Sequence, residues 1–272
     1  MSGRTIAAAQ PAGRAVRAMA GLGRSVLGFL PYIVGFCSLF LAWHVVAVYV
    51  VASVLFPPPT AVLLRAIALW QDGTLQENIG VSLRRIVIGF VAGSVLGIPV
   101  GLVIGSFPLA RKLLEPWTEF LRFIPSVAMI TVAVIWFGIG ETSKITLLFL
   151  AALPVSAVAA RDGVRNVSIV RVQAAQSLGA SRWQIFRYVI FPSALAEIFT
   201  GARLAIGAVY GTLIAAEIIA GTSGIGWLIL DAGRFLRSDY VFVGIFIIDL
   251  LGILLDRALV TAEHRIVHWA GK

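Results

Sequence analysis

Long apolar runs alternate with short polar segments along this chain. A helix needs about 20 apolar residues to cross a bilayer, and six runs reach or approach that length. They predict six spans, at residues 26–56, 86–110, 123–140, 145–160, 195–220 and 241–255. The fourth and sixth are the shortest. The pattern therefore predicts an all-α membrane protein.

Composition agrees with this prediction. The chain is 59% hydrophobic and 13% charged, whereas a soluble domain is about a quarter charged. The net charge of +9 raises the alternative of nucleic-acid binding. The basic residues, however, lie at the ends of apolar runs and form no patch interleaved with aromatics. The single cysteine, Cys37, excludes a disulfide framework.

The basic residues also predict the orientation. With the N-terminus inside, fifteen Lys and Arg residues fall in inner segments and six in outer ones. This excess predicts cytoplasmic N- and C-termini. The predicted regions are a basic cytoplasmic leader (1–25), a first span (26–56), an outer interfacial segment (57–85) and a core (86–269) with a cytoplasmic loop at 161–192. Within the outer segment, residues 61–70 predict a short amphipathic helix, and the Gly-rich residues 221–240 predict an irregular or re-entrant outer piece.

Five glycines in the second span recur every four residues. On a helix of 3.6 residues per turn they form a groove without side chains, into which another helix can pack closely. We expect this groove to line the centre of a bundle or of a dimer. Its members are Gly89, Gly93, Gly97, Gly101 and Gly105.

The inner loop contains an unusually polar stretch, VQAAQSLGASRWQIFRYVIFP, at residues 172–192. A helix over 165–178 is predicted to end at Gly179, and Ser181 is a suitable N-cap for a second helix over 182–190. This helix–Gly–helix elbow would present a compact surface outside the lipid. The alternative is an interfacial helix whose Arg182 and Arg187 contact anionic headgroups.

This stretch resembles the signature of the membrane subunits of bacterial ABC importers: Glu-Ala-Ala, three residues, Gly, nine residues, Ile-x-Leu-Pro. Here it reads Gln173-Ala174-Ala175, then Gly179, then Val189, Phe191 and Pro192. Gln173 replaces the usual Glu. Residues 122–145, 215–229 and 254–257 also resemble the nitrate, sulfonate and taurine branch of this family.

The resemblance implies the membrane-domain fold of a type I importer, with about six spans, in a bacterial inner membrane. Two such subunits, here expected to be two copies of this chain, form the pathway. Each elbow docks on one of two ATP-binding subunits, which hold ATP and Mg, and an external binding protein delivers a small solute. No cofactor is expected in this chain. The residues expected to contact the ATPase are Gln173, Ala174, Ala175, Gly179, Ala180, Ser181, Arg182, Trp183 and Arg187.

Three ionisable residues inside predicted spans are candidates for the translocation path or a gate, because such residues usually face a partner or water. They are Glu217, Asp249 and Arg203. Glu217 can instead serve in pairing, and Arg203 can pair with Asp249 or reach headgroups. His264 and His268, beside Glu263, have a spacing that metal sites use, although an interfacial position is the expected one.

An ion-coupled carrier and a membrane-embedded enzyme are the alternatives to the importer. An ion-coupled carrier would use Asp249 and Glu217 as proton or sodium sites, but it has no need of a docking elbow. The sequence contains no GxxxxGK[ST] loop and no catalytic motif of a hydrolase. We therefore expect no enzymatic activity in this chain, and ATP hydrolysis on a separate subunit.

Overall fold

The computed structural model describes Pro31 and residues 34–269, so the predicted leader lies outside the described residues. All the elements it describes are helices. The first unit, residues 1–61, contains helix α1 (Val34–Val51), which ends at Ala52 in the left-handed conformation. Helix α2 (Pro59–Gln71) follows, and most of it belongs to the second unit, which begins at Val62. The later helices of that unit are α3 (Thr74–Ser106), α4 (Pro108–Phe123), α5 (Ile130–Phe137), α6 (Glu141–Arg165), α7 (Ile169–Ser177), α8 (Arg182–Ala220), α9 (Ile225–Arg234) and α10 (Ser238–Ile266).

Helices α3 and α6 form the centre of the second unit. Each groove glycine of α3 lies against α6 at a residue 59 positions later, from Gly89 against Leu148 to Gly105 against Val164. This constant offset means that the two helices run parallel and keep one register. A Cβ at any of the five glycines would collide with α6. The groove therefore packs within the chain and is not free to contact a second copy.

Helix α8 runs antiparallel to α6. Gly201 packs on Ala159 in the middle of α8, and Gly163 of α6 packs on Ala194 near its start. Aliphatic side chains complete this three-helix core, among them Ile86, Leu148 and Val209, each at most 1% exposed. The described core thus rests on small residues that allow close approach of the backbones.

Four helices of the described chain are long and apolar enough to cross a membrane: α1, α3, α6 and α8. This number is lower than the six predicted. The predicted span 123–140 is not one helix, because α4 ends before Pro125, with Ile124 in an extended conformation, and only the eight residues of α5 follow before Gly138. The sixth predicted span lies within α10, which has 29 residues.

Two helix boundaries also differ from the prediction. Helix α3 begins at Thr74, so its first three turns include polar residues that were assigned to the interfacial segment. The predicted helix over 165–178 is interrupted, since α6 ends at Arg165 and α7 begins at Ile169. Helix α2 confirms the short helix predicted at 61–70, and the Gly-rich segment 221–240 is irregular over 221–224 and 235–237, on either side of α9.

Candidate functional site

The elbow, formed by α7, the turn at 178–181 and the start of α8, lies at one end of the three-helix core. Gly179 has φ +78°, a left-handed conformation that favours glycine. Its N–H bonds the carbonyl of Gln176 at 2.9 Å, and the N–H of Ala180 bonds that of Ala175 at 3.1 Å. These two bonds form a Schellman motif, which closes the end of α7.

Ser181 then begins the next helix as predicted. The N–H of Gln184 donates to the Ser181 hydroxyl at 3.3 Å, and the Gln184 side chain accepts from the N–H of Ser181 at 2.7 Å. This reciprocal pair is a capping box. The elbow is therefore stabilised by its own backbone and caps.

Helix α8 continues without a break from the elbow into the core. Residues 186–190 form a π-helical turn just before Pro192. Because proline lacks an N–H and its ring crowds the preceding turn, a widened turn lets the helix continue through it. The part of α8 that belongs to the elbow and the part that lies in the core are thus one helix of 39 residues.

Two large apolar side chains of the elbow are exposed. Leu178 is 88% exposed and Trp183 68%, and α7 buries none of its residues. The polar residues Gln173, Arg182 and Arg187 are exposed as well. Apolar surface of this kind, rimmed by polar residues, is typical of a protein contact or a membrane contact.

At the opposite end of the core lies a closed polar cluster, which we call the polar end. Arg85 is fully buried and binds Glu217, also 0% exposed, with Nη1 and Oε1 2.7 Å apart. The guanidinium also binds the Glu141 carboxylate through Nε and Nη2 and the Ser223 carbonyl through Nη1. Lys144 lies 3.5 Å from Glu141. Arg85 thus connects α3, α6, α8 and the loop before α9.

Glu217 is satisfied on both oxygens. Ser82 donates to Oε1 at 2.8 Å, and the N–H of Gly226 donates to Oε2 at 2.9 Å. A Cβ at position 224 would collide with the Glu217 carboxylate, so only glycine fits at Gly224. Of the two roles that the sequence left open for Glu217, this enclosure favours pairing over a place on an open path.

Sequence reasoning missed the partners of Glu217. Asn78, Ser82 and Arg85 are spaced by four and three residues, so they lie on one face of α3. Asn78 and Ser82 accept the N–H groups of Gly224 and Ile225. A polar stripe with this spacing precedes an apolar run. From it, both the earlier start of α3 and the polar cluster on its face could have been predicted.

A second ion cluster lies between α4 and the end of α6, next to the elbow. Arg161 is 2.9 Å from Glu115 and 2.7 Å from Glu119 through Nη1, and it also binds Asp162. The hydrogen bond from Arg161 lowers the pKa of the Glu119 carboxyl, and Arg122 contributes. These acids fix the amphipathic helix α4 to α6, a contact that the sequence did not predict.

The remaining candidates are more exposed. Arg203 pairs with Asp256 and not with Asp249, the partner considered from sequence. Asp249 is exposed on α10. His264 and His268 are also exposed, and no group of three or more His, Cys, Asp or Glu residues suited to a metal occurs within the described residues.

Comparison with known proteins defines the class. Residues 93–268 match the family described as binding-protein-dependent transport system inner membrane component. Solved structures show the same fold: an inward-facing MetNI methionine ABC transporter (TM-score 0.56, 19% identity, 70% of this chain and 97% of that chain) and an amino acid ABC transporter (0.57, 17%, 74% and 96%). The chain belongs to this family and is a permease subunit of an ABC importer, which the sequence resemblance predicted and which excludes the ion-coupled carrier.

Several curated relatives transport small anions or sulfonates by name. The chain is 41% identical to the taurine transport system permease protein TauC of Escherichia coli K12 over 235 residues, 85% of this chain and 86% of the relative. It is 36% identical to the aliphatic sulfonates permease SsuC of the same organism (85% and 90%). It is 28% identical to the bicarbonate permease CmpB of Synechocystis (85% and 86%). These relatives confirm the predicted branch.

Proposed function

We propose that two copies of this chain form the translocation path of an inner-membrane importer for a small sulfonated or similarly anionic solute. Each copy couples to one ATP-binding subunit, which holds ATP and Mg and performs the hydrolysis. An external binding protein delivers the solute. The names of the relatives support the solute class, and the excess of basic residues in inner segments supports cytoplasmic termini.

The exposed elbow is the observation that carries the coupling role. Its Schellman motif and capping box form without help from another part of the described chain, and its Leu178 and Trp183 side chains find no cover there. A segment that is rigid yet uncovered fits a preformed docking surface better than a headgroup anchor. Gln173, a neutral amide, can still donate a hydrogen bond to the partner.

Gly179 provides a test that separates shape from contact. Its Cβ position is open, with no heavy atom of the described chain within 4 Å, but its φ disfavours most side chains. Asn tolerates this conformation, so Gly179→Asn adds bulk at the docking surface with little strain, whereas Gly179→Ala adds strain of about 1–2 kcal/mol with little bulk. We expect Gly179→Asn to reduce co-purification of the ATP-binding subunit at least tenfold.

The measurement is affinity purification from native membranes in mild detergent, with the associated ATPase quantified by mass spectrometry. Equal yields and melting temperatures of the permease itself are the control for folding. Full association of ATPase with Gly179→Asn, together with normal uptake, would rule out docking at this surface. Loss with Gly179→Ala alone would mean that the fold of the turn, not the contact, matters.

A further inference from the structure

The ion pair of Arg203 and Asp256 joins α8 to α10 on an exposed face of the described chain. Nε and Oδ1 are 2.7 Å apart, and Nη2 and Oδ2 are 3.2 Å apart. The side chains are 42% and 39% exposed, against 0% and 1% for Arg85 and Glu217. The surroundings of this pair in the assembled transporter must therefore be able to accommodate its charges.

Two aromatic residues indicate the level of the membrane along α10. Tyr240 lies under the guanidinium groups of Arg65 and Arg237 at one end, and at the other Trp269 donates to the Pro192 carbonyl at 3.3 Å. Helix α10 itself, with 29 residues at 1.5 Å per residue, is about 43 Å long, close to the thickness of a bilayer with its headgroups. Aromatic residues of this kind concentrate at the two interfaces.

The pair lies well between these levels. Asp256 is about 24 Å from Tyr240 along α10, and Arg203 is about 16 Å from Pro192 along α8. Asp256 is followed by Arg257, which is exposed, and lipid contact with charged groups at this depth is costly. The exposed face must therefore meet water or protein in the assembled transporter.

The chemistry of the pair favours water. Of the five N–H donors of a guanidinium, two are used in the bonds to Asp256. Covering the pair with a second apolar helix would remove the solvation of the remaining donors, which is costly for a buried ion pair. Gly207, one turn from Arg203, leaves open space beside it, since no heavy atom lies within 4 Å of its Cβ position.

We propose that Arg203 is the residue of the translocation path that binds the anionic group of the solute, and that Asp256 holds Arg203 in position between solutes. This inference rests on the proposed function. A sulfonate or carboxylate offers the paired oxygens that a guanidinium binds with two parallel hydrogen bonds. The solute thus exchanges with Asp256 as the partner of Arg203, and the guanidinium remains charge-compensated throughout.

The test measures the local electrostatic potential with charged thiol reagents. Cys37→Ser removes the one native cysteine of the chain, and Gly207→Cys places a thiol beside Arg203. The permease is purified with its associated subunits and placed in nanodiscs, with and without ATP. A sulfonate-bearing and a quaternary-ammonium-bearing methanethiosulfonate are then compared, each rate being normalised to that of a free thiol.

We expect both reagents to react and the anionic one to be favoured. Arg203→Gln should lower the ratio of anionic to cationic rates about fivefold, and Asp256→Asn should raise it by a similar factor. Glu197→Gln is the matched control, because it removes one negative charge from an exposed position of α8, about 15 Å along the helix from Gly207, and should change the ratio less. Val95→Cys, 67% exposed in the middle of α3, should react with neither reagent if it faces lipid.

Two results would overturn the inference. Absence of reaction at Gly207→Cys in both nucleotide conditions would mean that protein or lipid covers this face. A ratio that Arg203→Gln leaves unchanged would mean that Arg203 does not set the potential there. If the proposed function itself is wrong, a different result is expected: the parental permease purifies without an ATP-binding subunit. Melting temperatures of every variant identify any that fail to fold.

Discussion

The polar end and the elbow lie at opposite ends of the same three helices. They differ in what they bury and what they expose. At the polar end, Arg85 and Glu217 are buried and each of their contacts is with this chain. At the elbow, Leu178 and Trp183 are left in the open. A buried, fully bonded cluster stabilises the fold, whereas rigid apolar surface without cover indicates a partner. Glu217, one of the three path or gate candidates from the sequence, is thus enclosed by the fold.

Among the substitutions that test this contrast, the largest effect on stability is expected at the polar end. Glu217→Ala removes one of the two carboxylates that bind the buried Arg85 and leaves only Glu141, and breaking a buried ion pair in this way costs up to about 3–5 kcal/mol. We expect a large fall in the yield and melting temperature of the permease, measured by fluorescence size-exclusion in detergent. Glu197→Ala, on an exposed position of the same helix, is the control and should change stability by less than about 0.5 kcal/mol.

The double variant Arg85→Met/Glu217→Met sharpens this prediction. It removes both charges together, so we expect it to be more stable than Glu217→Ala. If it is equally unstable, the hydrogen bonds of Glu217 to Ser82 and Gly226, and not the charge pairing, provide the stability.

An intermediate effect is expected where α4 meets α6 beside the elbow. The pKa of Glu119 is lowered in the folded protein from its ordinary value of 4.5. Its ionised form therefore adds stability at neutral pH, and this contribution is lost as the pH falls below about 4.5 and through the folded-state pKa. Because the pair is partly exposed, we expect Glu119→Gln to cost less than about 1 kcal/mol at pH 7.

This prediction is checked by comparing unfolding of Glu119→Gln and the parental chain between pH 7 and pH 3.5. The difference between the two curves should become smaller towards the acidic end. A difference that persists there would assign the effect to packing of the side chain.

The smallest effect on stability is expected at the elbow. Leu178→Ser changes a side chain that is 88% exposed, so the melting temperature of the permease alone should shift by less than that of Glu119→Gln. Uptake by the whole transporter should nevertheless fall, because the partner loses an apolar contact. Unchanged uptake would show that Leu178 lies outside the docking surface, and a large loss of stability would contradict the contrast itself.

Much of this architecture can be predicted from the sequence, because membrane helices depend on local signals. The regular glycines predicted a close helix contact, and Gly179 and Ser181 predicted the turn and the cap of the elbow. The partners of Glu217, of Arg203 and of the groove could not be predicted in the same way. They join residues 53 to 135 positions apart, and only the packing of α3, α6, α8 and α10 brings them together.

The position of Gly201 has a mechanical consequence. Helix α8 crosses α6 there, 19 residues from Arg182 and 19 residues from Ala220, so the two arms are each about 28 Å long. A rigid tilt of α8 about this crossing moves its two ends by equal distances in opposite directions. Gly201 contributes no side chain at this contact, so the long helix is in geometry a lever with two equal arms.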